Sequence, residues 1–313
     1  MDEKNWTVVT EFLLLGFGDL NDFRILTFII LLIVHIMALP GNILVISLIS
    51  AKKSLHCPMY FFLSQLSLSE IMFTTAIVPN MLRLVLEGGG KVSVFQCILQ
   101  FYLSGIPTIV QCLLLAVMSF DRYVAICRPL HYTIIMTFTH QIQMVTTCWL
   151  LGFSLSIIIY AFLRKLTFCH HTIIDHFFCD VAPLLQLSCS DTSSVELVST
   201  LLAYPIILSP FLFIVVIYIS ILQAVLKIPS NIGRQKTFST CSSHLTSVCL
   251  YYGTLSSIYI FPLKDKFIYA NKSLTLLYAL VTPLFNPLIY SLRNQDIRSV
   301  IYNFVQILQL GKR

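Results

Sequence analysis

Seven runs of roughly 20 or more residues, nearly free of charge, take up most of this chain, and they constrain its fold more than any other feature. They span residues 24–50, 59–83, 97–121, 141–163, 197–226, 237–261 and 268–292. About 20 apolar residues in helical form cross the roughly 30 Å hydrocarbon layer of a bilayer, so each run has the length of a membrane span. Strands of a membrane barrel would alternate apolar and polar residues over about ten positions. Stretches such as Ile25 to Leu39 and Leu197 to Leu226 do not alternate. The runs therefore predict an all-α membrane protein, a seven-transmembrane helix bundle. Only 11% of the 313 residues are charged and 57% are hydrophobic, which leaves no segment with the makings of a separate soluble domain. The apolar stretch Phe12 to Leu15 is too short for a signal-peptide core and follows Asp2 and Glu3 rather than a basic region, so no cleaved signal is expected.

An odd number of spans places the termini on opposite sides, and charge decides which is which. The side holding residues 1–23 and the 84–96, 164–196 and 262–267 loops, with the helix ends beside them, carries nine basic and eleven acidic residues. The other side carries eleven basic residues, among them Lys52, Lys53, Arg122, Arg128 and Arg234, against only Asp121 and Asp296. By the positive-inside rule the second side is cytosolic. The expected organisation is an extracellular segment 1–23, a membrane domain 24–292 and a cytoplasmic tail 293–313, in the plasma membrane. In the tail, Ile297, Ile301, Phe304, Val305 and Leu308 recur on one helical face with Arg298 off it, the pattern of an amphipathic helix lying on the inner leaflet. The net charge of +6 thus reflects topology, and no nucleic-acid partner is expected.

Four cysteines fall on the outer side, Cys97, Cys169, Cys179 and Cys189, where oxidising conditions favour bridges. Spacing alone leaves three pairings open. Asn5-Trp6-Thr7 is a glycosylation sequon on the same side. His170, His171 and His176 beside two of the cysteines have the chemistry of metal ligands, but solvated loop histidines are the ordinary outcome and no metal is expected. The remaining six cysteines read as small packed hydrophobes.

Several motifs are more specific. Gly41-Asn42, Leu55-His56-Cys57-Pro58-Met59-Tyr60 and Asp121-Arg122-Tyr123 resemble those of rhodopsin-like G-protein-coupled receptors. The segments Met118-Ser119-Phe120-Asp121-Arg122-Tyr123-Val124-Ala125-Ile126-Cys127, Lys236-Thr237-Phe238-Ser239-Thr240-Cys241-Ser242-Ser243-His244-Leu245 and Pro283-Leu284-Phe285-Asn286-Pro287-Leu288-Ile289-Tyr290 are similar to the signatures of vertebrate odorant receptors. The likeness begins at Glu11-Phe12-Leu13-Leu14-Leu15-Gly16 and continues to the last span. Departures are Ser119-Phe120, Thr237 and Leu284-Phe285, all conservative in size, and Gln111, where the family commonly carries glutamate.

The resemblance implies a receptor, not an enzyme, that binds a small volatile or metabolite ligand and activates a heterotrimeric stimulatory G protein of the olfactory type, raising cyclic AMP. It also implies the bridges Cys97–Cys179 and Cys169–Cys189. It assigns Asp121, Arg122 and Tyr123, with Asn286, Pro287 and Tyr290, to the switch that opens the cytosolic face. Proline in that last motif removes a backbone donor and loosens its turn. Around Glu70, which sits near the middle of the bilayer, it implies a polar pocket with Asn42 and Asn286 that holds a cation such as sodium. Gln111 takes one charge from that pocket and weakens its hold; a protonated Glu70 bonded to Asn286 is the alternative. No other cofactor is expected.

A ligand pocket of mainly apolar walls with a few polar groups is expected in the outer halves of the third, fifth and sixth spans. Its candidate residues are Ser104, Thr108, Ile109 and Cys112, then Tyr204, Ile207 and Leu208, then Tyr252, Leu255, Ser256 and Tyr259. The third span has no acid in its outer half, which argues against a cationic amine ligand. The same fold working outside the nose as a metabolite sensor is the second reading. A channel or transporter is disfavoured because no repeat is visible and Glu70 alone carries charge deep in the membrane.

Overall fold

A computed structural model describes residues 9–169, 172–259 and 268–293. Asn5, His170, His171 and the amphipathic segment after Arg293 lie outside the described residues, as does the side chain of Tyr290. The chain forms helices α1 (Arg24–Ala51), α2 (Pro58–Glu87), α3 (Val94–Cys127), α4 (Tyr132–Ile135), α5 (Phe138–Leu163), α6 (Val181–Leu187), α7 (Ser193–Leu226), α8 (Asn231–Tyr259), α9 (Ile268–Leu276) and α10 (Thr282–Arg293). A π-helical turn, Leu277–Val281, joins the last two into one rod. Among the described residues, α1, α2, α3, α5 and α7 are long and apolar enough to cross a bilayer. Their outward faces expose Ile25, Ile29 and Ile36 on α1, Leu150 and Ile157 on α5, and Leu201, Leu212 and Val216 on α7. So much contiguous apolar surface would aggregate in water and suits lipid.

Helix ends differ from the predicted spans because caps, not hydropathy, decide them. Helix α3 starts three residues before Cys97, where Ser93 Oγ accepts from Gln96 N (3.1 Å) and Ser93 N donates to Gln96 Oε1 (3.3 Å). Helix α5 starts at Phe138, where Thr137 Oγ1 accepts from His140 N at 3.3 Å. Helix α2 runs on past residue 83 to Glu87 and stops at Gly88, whose φ of +73° takes the left-handed conformation that ends helices. Helix α8 likewise begins at Asn231, six residues before the predicted start of its span at residue 237.

The expectation of a purely helical chain needs one amendment. A small sheet lies at one end of the bundle, with β1 (Glu11–Leu14) between β2 (Gly90–Ser93), antiparallel to it, and β3 (Ile173–Ile174), parallel to it. Phe12 and Leu14 point inward and are fully buried, with Phe12 edge-on to Phe168 at 4.9 Å. The short apolar run Phe12 to Leu15 thus supplies the central strand of this sheet.

Helices α3 and α5 approach closely at Gly152, where an added Cβ would lie 2.7 Å from Val110 Cγ2 and 3.1 Å from the Ile106 carbonyl oxygen. Small residues at such crossings let backbones pack where lipid supplies no hydrophobic drive. Helix α3 runs through the middle of the bundle against α2, α5, α7 and α8.

Candidate functional site

Between α3, α5, α7, α8 and α9 lies a cavity of about 470 Å³. Of the predicted pocket residues, Ser104, Thr108, Ile109, Cys112, Tyr204, Ile207, Leu255 and Tyr259 line it. Tyr252 and Ser256 do not reach it, and Leu208 is turned outward on α7. Tyr252 lies below the floor, buried, with its hydroxyl donating to the Cys112 carbonyl oxygen at 2.8 Å. Tyr252 shares a face of α8 with Tyr259, seven residues on, but lies about 10 Å further along the axis, whereas Ser256 is turned about 100° from Leu255.

The floor is a cluster of tyrosines. Tyr251 donates to the Thr108 carbonyl oxygen at 2.7 Å, and the hydroxyls of Thr108 and Tyr278 bond at 2.8 Å. Rings of Tyr251 and Tyr278 pack 5.7 Å apart, and Phe73 meets Tyr278 edge-on at 4.9 Å. These contacts tie α3 to α8 and to the π turn that carries Tyr278. Of this cluster, Phe73 on α2, Thr108 on α3 and Tyr278 on the π turn line the cavity.

The roof comes from the loop after α5. Cys179 is bonded to Cys97 at the start of α3, and its N–H donates to Gln100 Oε1 at 3.2 Å. A second bridge joins Cys169 to Cys189. The first bridge holds His176, Phe178 and Asp180 over the cavity. Burial, with the positive Lys272 nearby, lowers the His176 pKa to about 4 against the opposing pull of Asp175, so its imidazole is neutral at ordinary pH. Lys272 is itself buried and paired with Asp175 at 2.5 Å. Burial raises the Asp180 carboxyl above the usual range, while the Val181 N–H, 2.7 Å away, and the Tyr259 hydroxyl pull it back. Among the described residues no group of metal-binding side chains forms.

Sequence reasoning missed several residues here. It passed over α5, which contributes Ser156 and Ile159, and the loop, which contributes Asp180. The outer half of the third span does lack an acid, yet the cavity has two from elsewhere, Asp180 and Glu196. The one available signal was the loop's cysteines, since a bridge to Cys97 forces its neighbours down over the bundle.

Below the tyrosine floor is the polar pocket. The buried side chains Glu70 and Asn286 are hydrogen-bonded, and Asn42 Nδ2 donates to the carbonyl oxygens of Ala38 (3.0 Å) and Pro283 (3.1 Å). Glu70 Oε2, Asn42 Oδ1 and Asn286 Oδ1 are buried with no partner, as is the amide nitrogen of the buried Gln111. Three unpaired oxygens, one of them a carboxylate's, have the chemistry to hold a hard cation such as sodium. These residues would hold the ion and use its charge to brace α1, α2 and α10.

At the far end of α3, Arg122 binds Asp121 through both Nε (3.0 Å) and Nη2, and Tyr132 on α4 donates to the other Asp121 oxygen at 2.8 Å. Asp121 is fully buried, and α3 continues to Cys127, so the motif lies within the helix rather than at its end. Tyr123 packs on Ile217, Ile221 and Val225 of α7. Tyr218 and His244 Nδ1 bond at 2.6 Å, linking α7 to α8. Asn286 and Pro287 lie on α10, Pro287 against Gly41 of α1. Tyr132 and Tyr218 escaped the sequence reading because neither belongs to a short motif.

The olfactory receptor family model matches residues 31–308. The chain is 42% identical over 298 residues to human olfactory receptor 10R2, covering 95% of this chain and 89% of that one. It is 40% identical to human olfactory receptor 6N1, covering 96% of each. It is 41% identical to the dog olfactory receptor-like protein OLF1, covering 97% of this chain and 98% of that one. With a family model spanning most of its length and relatives at this level along nearly all of it, the chain belongs to the olfactory receptor family.

Proposed function

We propose that this receptor binds a small, mostly apolar odorant in the 470 Å³ cavity and activates the stimulatory olfactory-type G protein, raising cyclic AMP. Membership of the family makes it a membrane-embedded, G-protein-coupled odorant receptor and not an enzyme. The cavity supports the site: it lies within the range of ordinary ligand pockets, about 300–1,000 Å³, and its floor joins the helices that must move. We further propose an extracellular amino terminus and a cytoplasmic carboxyl terminus, since the positive-inside rule applied to the loops gives that orientation. The domain limits 24–292 for the bundle and 293–313 for the tail rest on the same reasoning.

The test is a cyclic AMP reporter in cells co-expressing the receptor and that G protein, screened with aldehydes, ketones, esters, alcohols, acids, thiols and amines, with surface staining as control. A selective agonist should appear. Leu255→Phe, which adds bulk inside the cavity, should raise its half-maximal concentration at least about ten-fold, a cost of about 1.4 kcal/mol. Unchanged potency would move the ligand elsewhere.

For the lower pocket we propose a sodium ion that stabilises the resting receptor. Raising sodium against choline at fixed ionic strength should increase the thermal stability of purified wild-type receptor and should leave Glu70→Gln unaffected. Equal responses in the two proteins would assign the pocket to a protonated Glu70 instead.

A further inference from the structure

The hydroxyls that the sequence nominated for ligand recognition are already engaged. Ser104 Oγ donates to the Gln100 carbonyl oxygen at 2.9 Å, and Thr108 Oγ1 bonds to the Ser104 carbonyl oxygen and to Tyr278, both at 2.8 Å. Serine and threonine in a helix commonly close on the carbonyl one turn back. Ser119, Thr147, Ser220 and Thr254 all do so here. Ser156 does not. It lines the cavity from α5, is only 2% exposed, and its Oγ has no partner. Ser199 on α7 also lines the cavity, and its Oγ is likewise buried without a partner.

Opposite Ser156, α3 carries Gly105, where an added Cβ would lie in van der Waals contact with Ser156 Oγ at 3.4 Å, so no side chain of α3 stands against the hydroxyl at that position. A buried hydroxyl left unpaired is costly, and a ligand oxygen that completes it gains what the empty receptor lacks.

We propose that Ser156, with Ser199 as a second unpaired hydroxyl on the cavity wall, anchors the oxygen of a neutral oxygenated ligand, an alcohol or a ketone. A serine hydroxyl both donates and accepts, so it serves either class. Charge excludes carboxylic acids: Asp180 and Glu196 line the cavity, and no lysine or arginine does among the described residues. Asp180 already receives the Val181 N–H and the Tyr259 hydroxyl, which leaves it a poor primary anchor for an amine. The inference rests on the cavity being the ligand site, and the experiment separates the two.

Purified receptor is titrated with octan-1-ol, octan-2-one, octane, octylamine and octanoic acid, with thermal stabilisation as the readout. Wild type should respond to the alcohol and the ketone. Ser156→Ala should weaken both about ten-fold, the worth of one strong hydrogen bond, while its response to octane stays as in wild type. Without ligand this variant should be at least as stable as wild type, because the hydroxyl it loses has no partner. Ile207→Phe, which fills the cavity, should abolish every response. If Ile207→Phe still binds octan-1-ol, the cavity reading itself fails. If Ile207→Phe loses binding while Ser156→Ala matches wild type, the assignment of Ser156 alone fails. A stronger response to octylamine than to octan-1-ol, or no response of wild type to either oxygenated probe, also overturns the proposal.

Discussion

Arg122→Ala is expected to give no cyclic AMP rise with any agonist, whatever its density at the cell surface. Among the described residues Arg122 is paired with Asp121, which is fully buried and is held also by the Tyr132 hydroxyl at 2.8 Å. Such a pair is stable while the helices are closed and yields a free guanidinium when they part, a two-state element of the kind that switches need. Removing the cation leaves a buried carboxylate with one neutral donor, a loss of several kcal/mol in comparable sites, about 3–5. Surface density of the alanine variant will therefore fall as well. Arg122→Lys separates the two effects: it keeps a cation beside Asp121 and should recover density. It lacks the planar guanidinium whose Nε and Nη2 both reach Asp121 Oδ2, and its signal should remain far below wild type. Dose–response curves normalised to surface staining check this. A normal response from either variant at equal density would remove Arg122 from the coupling role.

Cys97→Ser and Cys179→Ser should each fail to reach the cell surface in quantity. Their bridge spans 82 residues of sequence. Closing a loop of that size restricts the unfolded chain by about 4–5 kcal/mol at 25 °C on the loop-entropy model, comparable to the whole stability of many domains. If the cavity holds the ligand as proposed, the bridge also serves binding, since Phe178 and Asp180 beside Cys179 form the roof of the cavity. Protein rescued by low-temperature expression should bind agonist weakly. Cys169→Ser opens a loop of only 20 residues, worth about 3 kcal/mol on the same model, and should retain part of its surface density. Staining of unpermeabilised cells for the three variants tests the order. Wild-type density and potency in Cys97→Ser would show that the bridge is dispensable.

The bundle was legible in the sequence because hydropathy is a one-dimensional signal. A span announces itself through some twenty consecutive side chains, and α1, α3 and α7 follow directly from their composition. Motif residues were legible for a related reason: Asp121, Arg122 and Tyr123 are neighbours in the chain, so their pairing needs no knowledge of the fold. Helix ends were less so, since the reciprocal Ser93 and Gln96 bonds and the left-handed Gly88 act over only three or four residues. The β1 strand was invisible: two inward side chains, Phe12 and Leu14, have no pattern long enough to read until β2 and β3 lie beside them.

By itself, then, the sequence determined that the chain is a membrane bundle, which residues have the chemistry of a switch, and which family its motifs resemble. Tertiary structure alone decided which hydroxyls are free. Ser104 and Thr108 look like ligand contacts in one dimension and are engaged in three, while Ser156 looks like an ordinary residue of an apolar span and is left unpaired at the cavity wall. The physical reason is that a hydrogen bond is a property of two groups at about 3 Å. Gly105, Ser156 and Asp180 come from three separated segments, and only the packing of α5 against α3, with the loop fastened by Cys97–Cys179, brings them to one space.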